Sequence, residues 1–368
     1  MYLTFFTNAA PQQLTWEDIL NNPYITSSNI PKLPAKKVTK EITDDYAKRL
    51  WEKKKIDLSC FTVASNMADV IKDTKDHYKH FQIPKKSDPK KMRQIDAPDE
   101  ILASIQETYK SLIDNVLNFQ AHKAAHAYVK ERSVVTAMEV HQKNKSKWFL
   151  QIDLKDFFNS IDGVWLKKML NQVYPFPFIP EEHLDKMIEM SLLDGCLPQG
   201  SKLSPTLTNA VMVPIDYELT EKLHNYKRHH YVYTRYADDI TISCKEKFNP
   251  NEIMSVIREI FSKWKVPFKI NNKKTRFGSS AGRNYHLGLI INKDNKISAG
   301  HERNNKFKAM IFNFCTIGDE WDIHRVQHML GIISYYKSFE PEFVKRTINK
   351  YNARFNTDIM EKAKNMIY

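Results

Sequence analysis

YVYTRYADDITIS, running from Tyr231 to Ser243, decides the reading of this chain. β-branched and aromatic residues flank Tyr236-Ala237-Asp238-Asp239 on both sides, so two strands joined by a tight hairpin are expected. Successive side chains of a regular strand point to opposite faces, and only a turn brings the carboxylates of Asp238 and Asp239 near one point. Like charges a few ångströms apart repel unless a cation stands between them. Asp is also an ordinary turn former, so these four residues take their meaning from the rest of the sequence.

The second informative stretch is QIDLKDFFNSI, from Gln151 to Ile161. Trp148 to Asp153 reads as an apolar strand ending in an acid. Taken alone, Asp153 is equally a helix cap or a strand-end carboxylate. If this strand and the hairpin are neighbours in one sheet, Asp153, Asp238 and Asp239 converge. Three hard oxygen donors with open positions suit Mg²⁺, which retains waters and binds phosphates. Two such ions clamp the attacking and leaving oxygens of an in-line phosphoryl transfer.

Composition narrows the class. The chain has 368 residues, 42% hydrophobic and 12% aromatic, which predicts a globular protein of two or three subdomains rather than a disordered one. Its formal net charge of +13 points to a polyanionic partner, nucleic acid or an anionic membrane surface. From Lys245 onward there are 23 Lys and Arg against 12 Asp and Glu, so most of the excess follows the Asp-Asp turn. The four cysteines (Cys60, Cys196, Cys244, Cys315) show no C-x-x-C spacing, which argues against a zinc site or disulfide framework and for a reducing cytoplasm. No apolar run approaches the ~20 residues of a membrane span, and MYLTFFTNAAPQQ lacks the pattern of a signal peptide. No G-x-x-x-x-G-K-[ST] loop is present, so a nucleotide is not held by a P-loop.

Along the chain, Ile30 to Lys40 reads as a linker and Asp44 to Lys55 as a charged helix. His80 to Pro98 reads as a basic hairpin broken at Ser87-Asp88-Pro89. Asp99 is placed to cap a helix whose apolar residues recur from Ile101 to Leu117. Further helices are expected over Asp162–Val173, Glu181–Leu193, Pro205–Asn225 and Asn251–Trp264. Leu197 to Gly200 is expected to turn, Tyr285 to Asn292 to be strand-like, and the chain after Asn304 to be helical.

In this order, FQIPKK, RQIDAPDEILASIQ, HAYVKERSVVTAMEVH, QIDLKDFFNSI, LPQGSKLSPTLTN, YADD, NNKKT, HLGLIIN and HMLGIISYYKSFEPEF resemble the reverse transcriptases of bacteria, specifically the retron-type group. The resemblance covers about residues 77 to 350. It implies an α+β, right-hand polymerase fold with fingers, a palm of antiparallel sheet plus helices, and a helical thumb. The expected division is an N-terminal extension (1–76), fingers (77–150), palm (151–292) and thumb (293–368).

The resemblance also implies roles. Asp153, Asp238 and Asp239 match the catalytic metal ligands, for two Mg²⁺ ions with Mn²⁺ as a substitute. The backbone of Ile152 and Leu154 is expected beside the incoming triphosphate. Phe158 matches the aromatic that leaves no room for a 2′-hydroxyl, and Gln199 a residue that touches nucleotide or template. Arg93, Lys85 and Lys86 fit the cations that grip the triphosphate. Lys274 resembles a lysine close to the pyrophosphate leaving group, a candidate general acid. His286-Leu287-Gly288 resembles the primer grip, although retron enzymes often have Val-Thr-Gly there, a departure that fits a sister branch of defence-associated reverse transcriptases. In the thumb, Arg303, Lys306, Lys308, Lys337, Lys345, Arg346 and Lys350 interleave with Phe307, Phe312, Tyr335 and Tyr336.

The implied reaction is RNA-templated DNA synthesis, with dNTPs, a structured non-coding RNA template and an RNA–DNA duplex as partners, no membrane, and a cytoplasmic bacterial setting. A homo-oligomer or an effector protein stays open, as do three other readings. These are a true retron enzyme making branched RNA–DNA, a template-independent or protein-primed polymerase, and an RNA-binding scaffold without catalysis. Antiphage defence is the biological role the family association suggests.

Overall fold

The computed structural model describes residues 59–85, 88–117, 119–173, 176–280 and 286–367. The expected linker Ile30–Lys40 and helix Asp44–Lys55, together with Lys86, Ser87 and Tyr285, lie outside the described residues.

Helix α1 (Ser59–Ala68) precedes a hairpin of β1 (Tyr78–Lys85) and β2 (Asp88–Pro98). Then come α2 (Glu100–Ser111), α3 (Val134–Lys143), β3 (Trp148–Lys155), α4 (Gly163–Leu170), α5 (Glu181–Ser191) and α6 (Ser204–Asn225). The hairpin β4 (Val232–Tyr236) and β5 (Asp239–Cys244) follows, then α7 (Pro250–Trp264) and the short strands β6 (Lys269–Ile270), β7 (Arg276–Ser279), β8 (Ile290–Ile291) and β9 (Ile297–Ser298). The chain ends in α8 (His301–Ile317), α9 (Ile323–Lys337), α10 (Pro341–Phe355) and α11 (Ile359–Asn365).

Local chemistry sets the helix starts. The carboxylates of Asp99 and Asp162 accept from the backbone N–H of Leu102 and Trp165, and Ser133 forms a reciprocal capping box with Thr136. Helix α6 is apolar round most of its circumference and lies inside the protein, with Leu207, Ala210, Val211, Ile215 and Leu219 all buried.

The main sheet runs β4-β5-β3-β6 with β7 also on β3, all antiparallel. Alternation along β3 gives the sheet two unlike faces. Leu150, Ile152 and Leu154 enter the large core built with α2, α4, α5, α6 and α7. Phe149 points the other way, into a second core shared with α8 to α11. Gln151 and Asp153 follow Phe149 on this second face and are partly exposed. The strand expected over Tyr285–Asn292 is shorter than read. Among the described residues of this stretch only Ile290 and Ile291 form a strand, because Leu287 (φ 51°) and Gly288 (φ 85°) are left-handed and close a turn between His286 and Leu289.

Among the described residues, no helix is long and apolar enough to cross a membrane.

Candidate active site

The hairpin turns at Ala237–Asp238, with Tyr236 paired to Asp239. Ala237 takes the left-handed conformation the turn demands (φ 55°). Because β5 pairs with β3 in the register Asp153↔Asp239, these two acids are directly opposite and project from the same face. Asp238 lies at the tip, and its carbonyl accepts from the N–H of Leu154. The Leu154 amide is therefore used within the protein. Leu154 and Ile152 serve the site as ladder and wall, with both side chains in the core.

Burial pushes the Asp239 carboxyl up to about 6, with the charges of Asp238 and Asp153 adding to the effect. Burial also raises Asp238, and the charge of Asp153 acts in the same direction. Asp153 has partners of its own: Lys274 Nζ lies 2.6 Å from Oδ1, and Asn271 Nδ2 donates to Oδ2 at 2.9 Å. Among the described residues, no three His, Cys, Asp or Glu side chains close around one ion, since Asp153 is turned toward Lys274 and Asn271. The donor set nevertheless fits a hard divalent cation. It consists of carboxylates held together against their own repulsion, and Lys274 supplies the positive charge at Asp153.

A buried network fixes the turn. Arg235 and Asp216 are both fully buried and pair at 2.7 Å. The Arg235 guanidinium also donates to the carbonyl of Ala237 at 3.3 Å and to Asn209 Oδ1 at 3.2 Å, and the Tyr233 hydroxyl donates to Asp216 at 2.6 Å. Sequence reasoning missed this pair. The available signal was Asp216 itself, a single acid directly after the apolar run VMVPI (211–215) of α6, because a charge buried there requires a partner. Behind β4 and β5, His141 bonds Ser243 at 2.6 Å and Thr234 at 2.8 Å, and its burial lowers its pKa to about 3.

Around the acids, Phe158 is half-buried, edge-on to the core residue Phe157 on one side and to Tyr128 on another. Arg93 is exposed on β2, opposite Ile83, and is close enough for its charge to act on Asp238. Lys85 ends β1. The Gln199 carbonyl accepts from the Asp96 N–H at 2.9 Å, which ties the LPQG turn to β2. Gly200 is required there, since a Cβ would lie 2.6 Å from the Asp96 carbonyl oxygen (φ 133°). The close approach at this glycine is thus to the protein's own backbone.

His286-Leu287-Gly288 forms a turn over the same sheet face. The His286 ring lies 4.3 Å from Phe149, its Nε2 is 3.5 Å from Gln151 Nε2, and burial lowers its pKa to about 3. Arg303 on α8 donates to the Gly288 carbonyl. All seven thumb cations named above are exposed, while Phe307 and Tyr336 are buried.

Residues 83–312 match the family model described as reverse transcriptase (RNA-dependent DNA polymerase). Retron Ec73 reverse transcriptase of Escherichia coli is 31% identical over 281 residues, 73% of this chain and 87% of that protein. Retron Ec83 reverse transcriptase of Escherichia coli is 27% identical over 288 residues, 75% of this chain and 87% of that protein. Among solved structures, apo telomerase from Candida tropicalis aligns with a TM-score of 0.47 and 11% identity, over 79% of this chain and 58% of that one.

Proposed function

Since this chain belongs to the reverse transcriptase family, in its retron-type group, and is therefore an RNA-directed DNA polymerase, we propose that Asp153, Asp238 and Asp239 are its catalytic acids. The observation that carries this is the register of Asp153 opposite Asp239, with Asp238 at the adjoining tip. The family uses divalent metal ions, and these three carboxylates would hold two Mg²⁺, with Mn²⁺ as a substitute. When bound, such ions supply Lewis-acid charge at the oxygens that attack and leave phosphorus. The protein's own residues do the rest. Arg93, with Lys85 and Lys86, neutralises the triphosphate. Phe158 fills the space a 2′-hydroxyl would need. Gln199 borders the nucleotide, beside the backbone of Ile152 and Leu154. Lys274, which donates to Asp153 Oδ1, would serve as the general acid toward the departing pyrophosphate. His286, Leu287 and Gly288 support the primer end.

We assign the fingers to the region from residue 77, the palm from Trp148 to 292 and the helical thumb beyond it. The boundary expected after residue 150 falls inside β3, so the palm is drawn from the start of that strand. The thumb's exposed cations would hold the RNA–DNA duplex through its phosphates, with binding that weakens steeply as salt rises. The template is an RNA. We assign it to a dedicated structured non-coding RNA, and the biological role to antiphage defence.

Primer extension on an RNA template with Mg²⁺ tests the site. The wild-type protein extends, and Asp238→Asn/Asp239→Asn, folded by circular dichroism, does not; equal activity in the two would sink the assignment. Sequencing the RNA that copurifies from the native host tests the template.

A further inference from the structure

Tyr128 is an exposed aromatic in a conformation that aromatics avoid. Its φ is 60°, in the left-handed region, and its relative exposure is 58%. A bulky residue there is strained and persists where the surroundings impose it. The surroundings do so here. The Arg235 N–H donates to the Ala124 carbonyl at 2.7 Å, and the His126 N–H donates to the Arg235 carbonyl at 2.8 Å. Asn209 Nδ2 donates to the Ala127 carbonyl at 2.9 Å, and Arg132 Nη1 donates to the carbonyls of His122 and Ala125, each at 2.7 Å. Arg235 and Asn209, which fix the Asp-Asp turn, thus also fix the segment that presents Tyr128.

The ring so presented meets Phe158 edge-on, with centroids 6.4 Å apart and planes at 69°. On another side Phe158 meets Phe157 at 5.6 Å, and Phe157 is locked in the core. Phe158 therefore contacts one ring buried in the core and one supplied from outside the palm strand. The Tyr128 hydroxyl is also in electrostatic range of the site: desolvation first, and then the charges of Asp238 and Tyr236, raise its pKa, with Arg93 opposing.

We propose that Tyr128 is a specificity-determining positioning residue, which holds the Phe158 ring where it excludes a ribonucleotide's 2′-hydroxyl. The proposal rests on the role assigned above to Phe158. A side chain excludes a hydroxyl only if it cannot yield. Half-buried Phe158 has staggered rotamers open to it unless neighbours restrict them, and Tyr128 adds a second ring contact to that of Phe157.

The test is the ratio of kcat/KM for a dNTP to that for the matching rNTP, in Mg²⁺-dependent primer extension by the full chain. Tyr128→Ala is expected to lower the ratio by about tenfold or more, the scale set by losing a few contacts in a steric pocket. Tyr128→Phe keeps the ring and retains the wild-type ratio. Tyr128→Gly removes the ring and also relieves the backbone, so it raises the unfolding midpoint while lowering the ratio. A merely structural tyrosine would not separate those two readouts. Phe158→Ala sets the scale. If Phe158→Ala relaxes discrimination and Tyr128→Ala and Tyr128→Gly do not, the inference about Tyr128 is overturned alone. If Phe158→Ala itself leaves the ratio unchanged, the role of Phe158 falls, and Tyr128 with it.

Discussion

The turn at Ala237–Asp238 and the turn at Leu287–Gly288 both use left-handed residues, and both look onto the same face of the sheet. They differ in what grips them. The Ala237 carbonyl is held from inside by Arg235, which is fully buried and neutralised by Asp216. The Gly288 carbonyl is held from outside by Arg303, an exposed side chain on the first thumb helix, α8. An interior grip fixes atoms against the core, as the acids require, because their separation sets their shared charge. An exterior grip couples a turn to the helix that carries the arginine, which suits a support for a duplex end that must advance after each addition.

The largest expected effect breaks the interior grip. Asp216→Ala leaves the Arg235 guanidinium buried without its counter-charge, and such a loss destabilises by about 3–5 kcal/mol. Denaturant unfolding measures it. If Asp216→Ala is no more destabilising than the loss of Arg303, the contrast between the turns is wrong. Replacing the pair together, as Asp216→Leu/Arg235→Met, should recover much of the stability but not the extension activity, since the Ala237 carbonyl still lacks its donor.

Acid acts next, and on both turns. His141, behind β4 and β5, and His286, in the second turn, are each lowered to about 3 by burial; His122 and His126 are lowered to about 4. Above the ordinary value of 6.5 both folded and unfolded chains are neutral at these groups, and they add no pH dependence. Below it the unfolded chain takes up protons that the fold refuses. Stability then falls by as much as about 1.4 kcal/mol per pH unit for each such histidine, until the folded values are reached. Urea midpoints between pH 7 and pH 4 give the slope. His141→Gln, which keeps a polar group between Ser243 and Thr234, should reduce it; a slope unchanged in that variant would mean that His141 takes up its proton over the same pH range in the folded and unfolded chains.

How far the sequence revealed this site follows the range of the interactions involved. The Asp153 strand, the Asp-Asp hairpin, the cap at Asp99 and the helix α6 were legible because alternation, capping and turn chemistry act within a few residues. The grip on the hairpin was not read, because Arg235 and Asp216 are separated by nineteen residues of helix and loop, and a strand arginine resembles a surface one. Lys274 was noticed for its type, but its seat on Asp153 depends on β6 pairing with β3, which two extended residues barely announce. The turn inside YHLGLIIN was hidden by its apolar letters. Leu287 carries no sign of a left-handed backbone, and Gly288 alone does not fix a register.

Gly288 allows a finer cut between grip and turn. A Cβ at this position would lie 2.5 Å from Arg303 Nη1 and would sit on a backbone with φ 85°. Gly288→Ala is expected to cost about 1–2 kcal/mol from the left-handed conformation, and to push Arg303 off its carbonyl. Extension should fall further than this stability loss alone would cause, because the change lands on the surface assigned to the primer. An alanine variant that unfolds earlier yet extends a primer with wild-type KM would detach this turn from primer support.

Arg303→Ala carries the smallest expected stability effect and separates the two grips most cleanly. The side chain is exposed and leaves no buried charge behind when removed. The unfolding midpoint should therefore move by no more than about 0.5 kcal/mol equivalent. The turn keeps its own closure, since the backbone bonds between His286 and Leu289, at 2.7 and 2.8 Å, do not involve the arginine. What is lost is the link between the turn and α8. If this link makes the turn follow the thumb, Arg303→Ala should raise KM for the primer–template and shorten products while leaving single-nucleotide kcat near wild type. Arg303→Lys, with a donor but no planar fork, should fall between the two. If single-nucleotide kcat falls and product length does not, the second turn serves the chemistry as directly as the first. The two turns would then differ only in where their arginines lie.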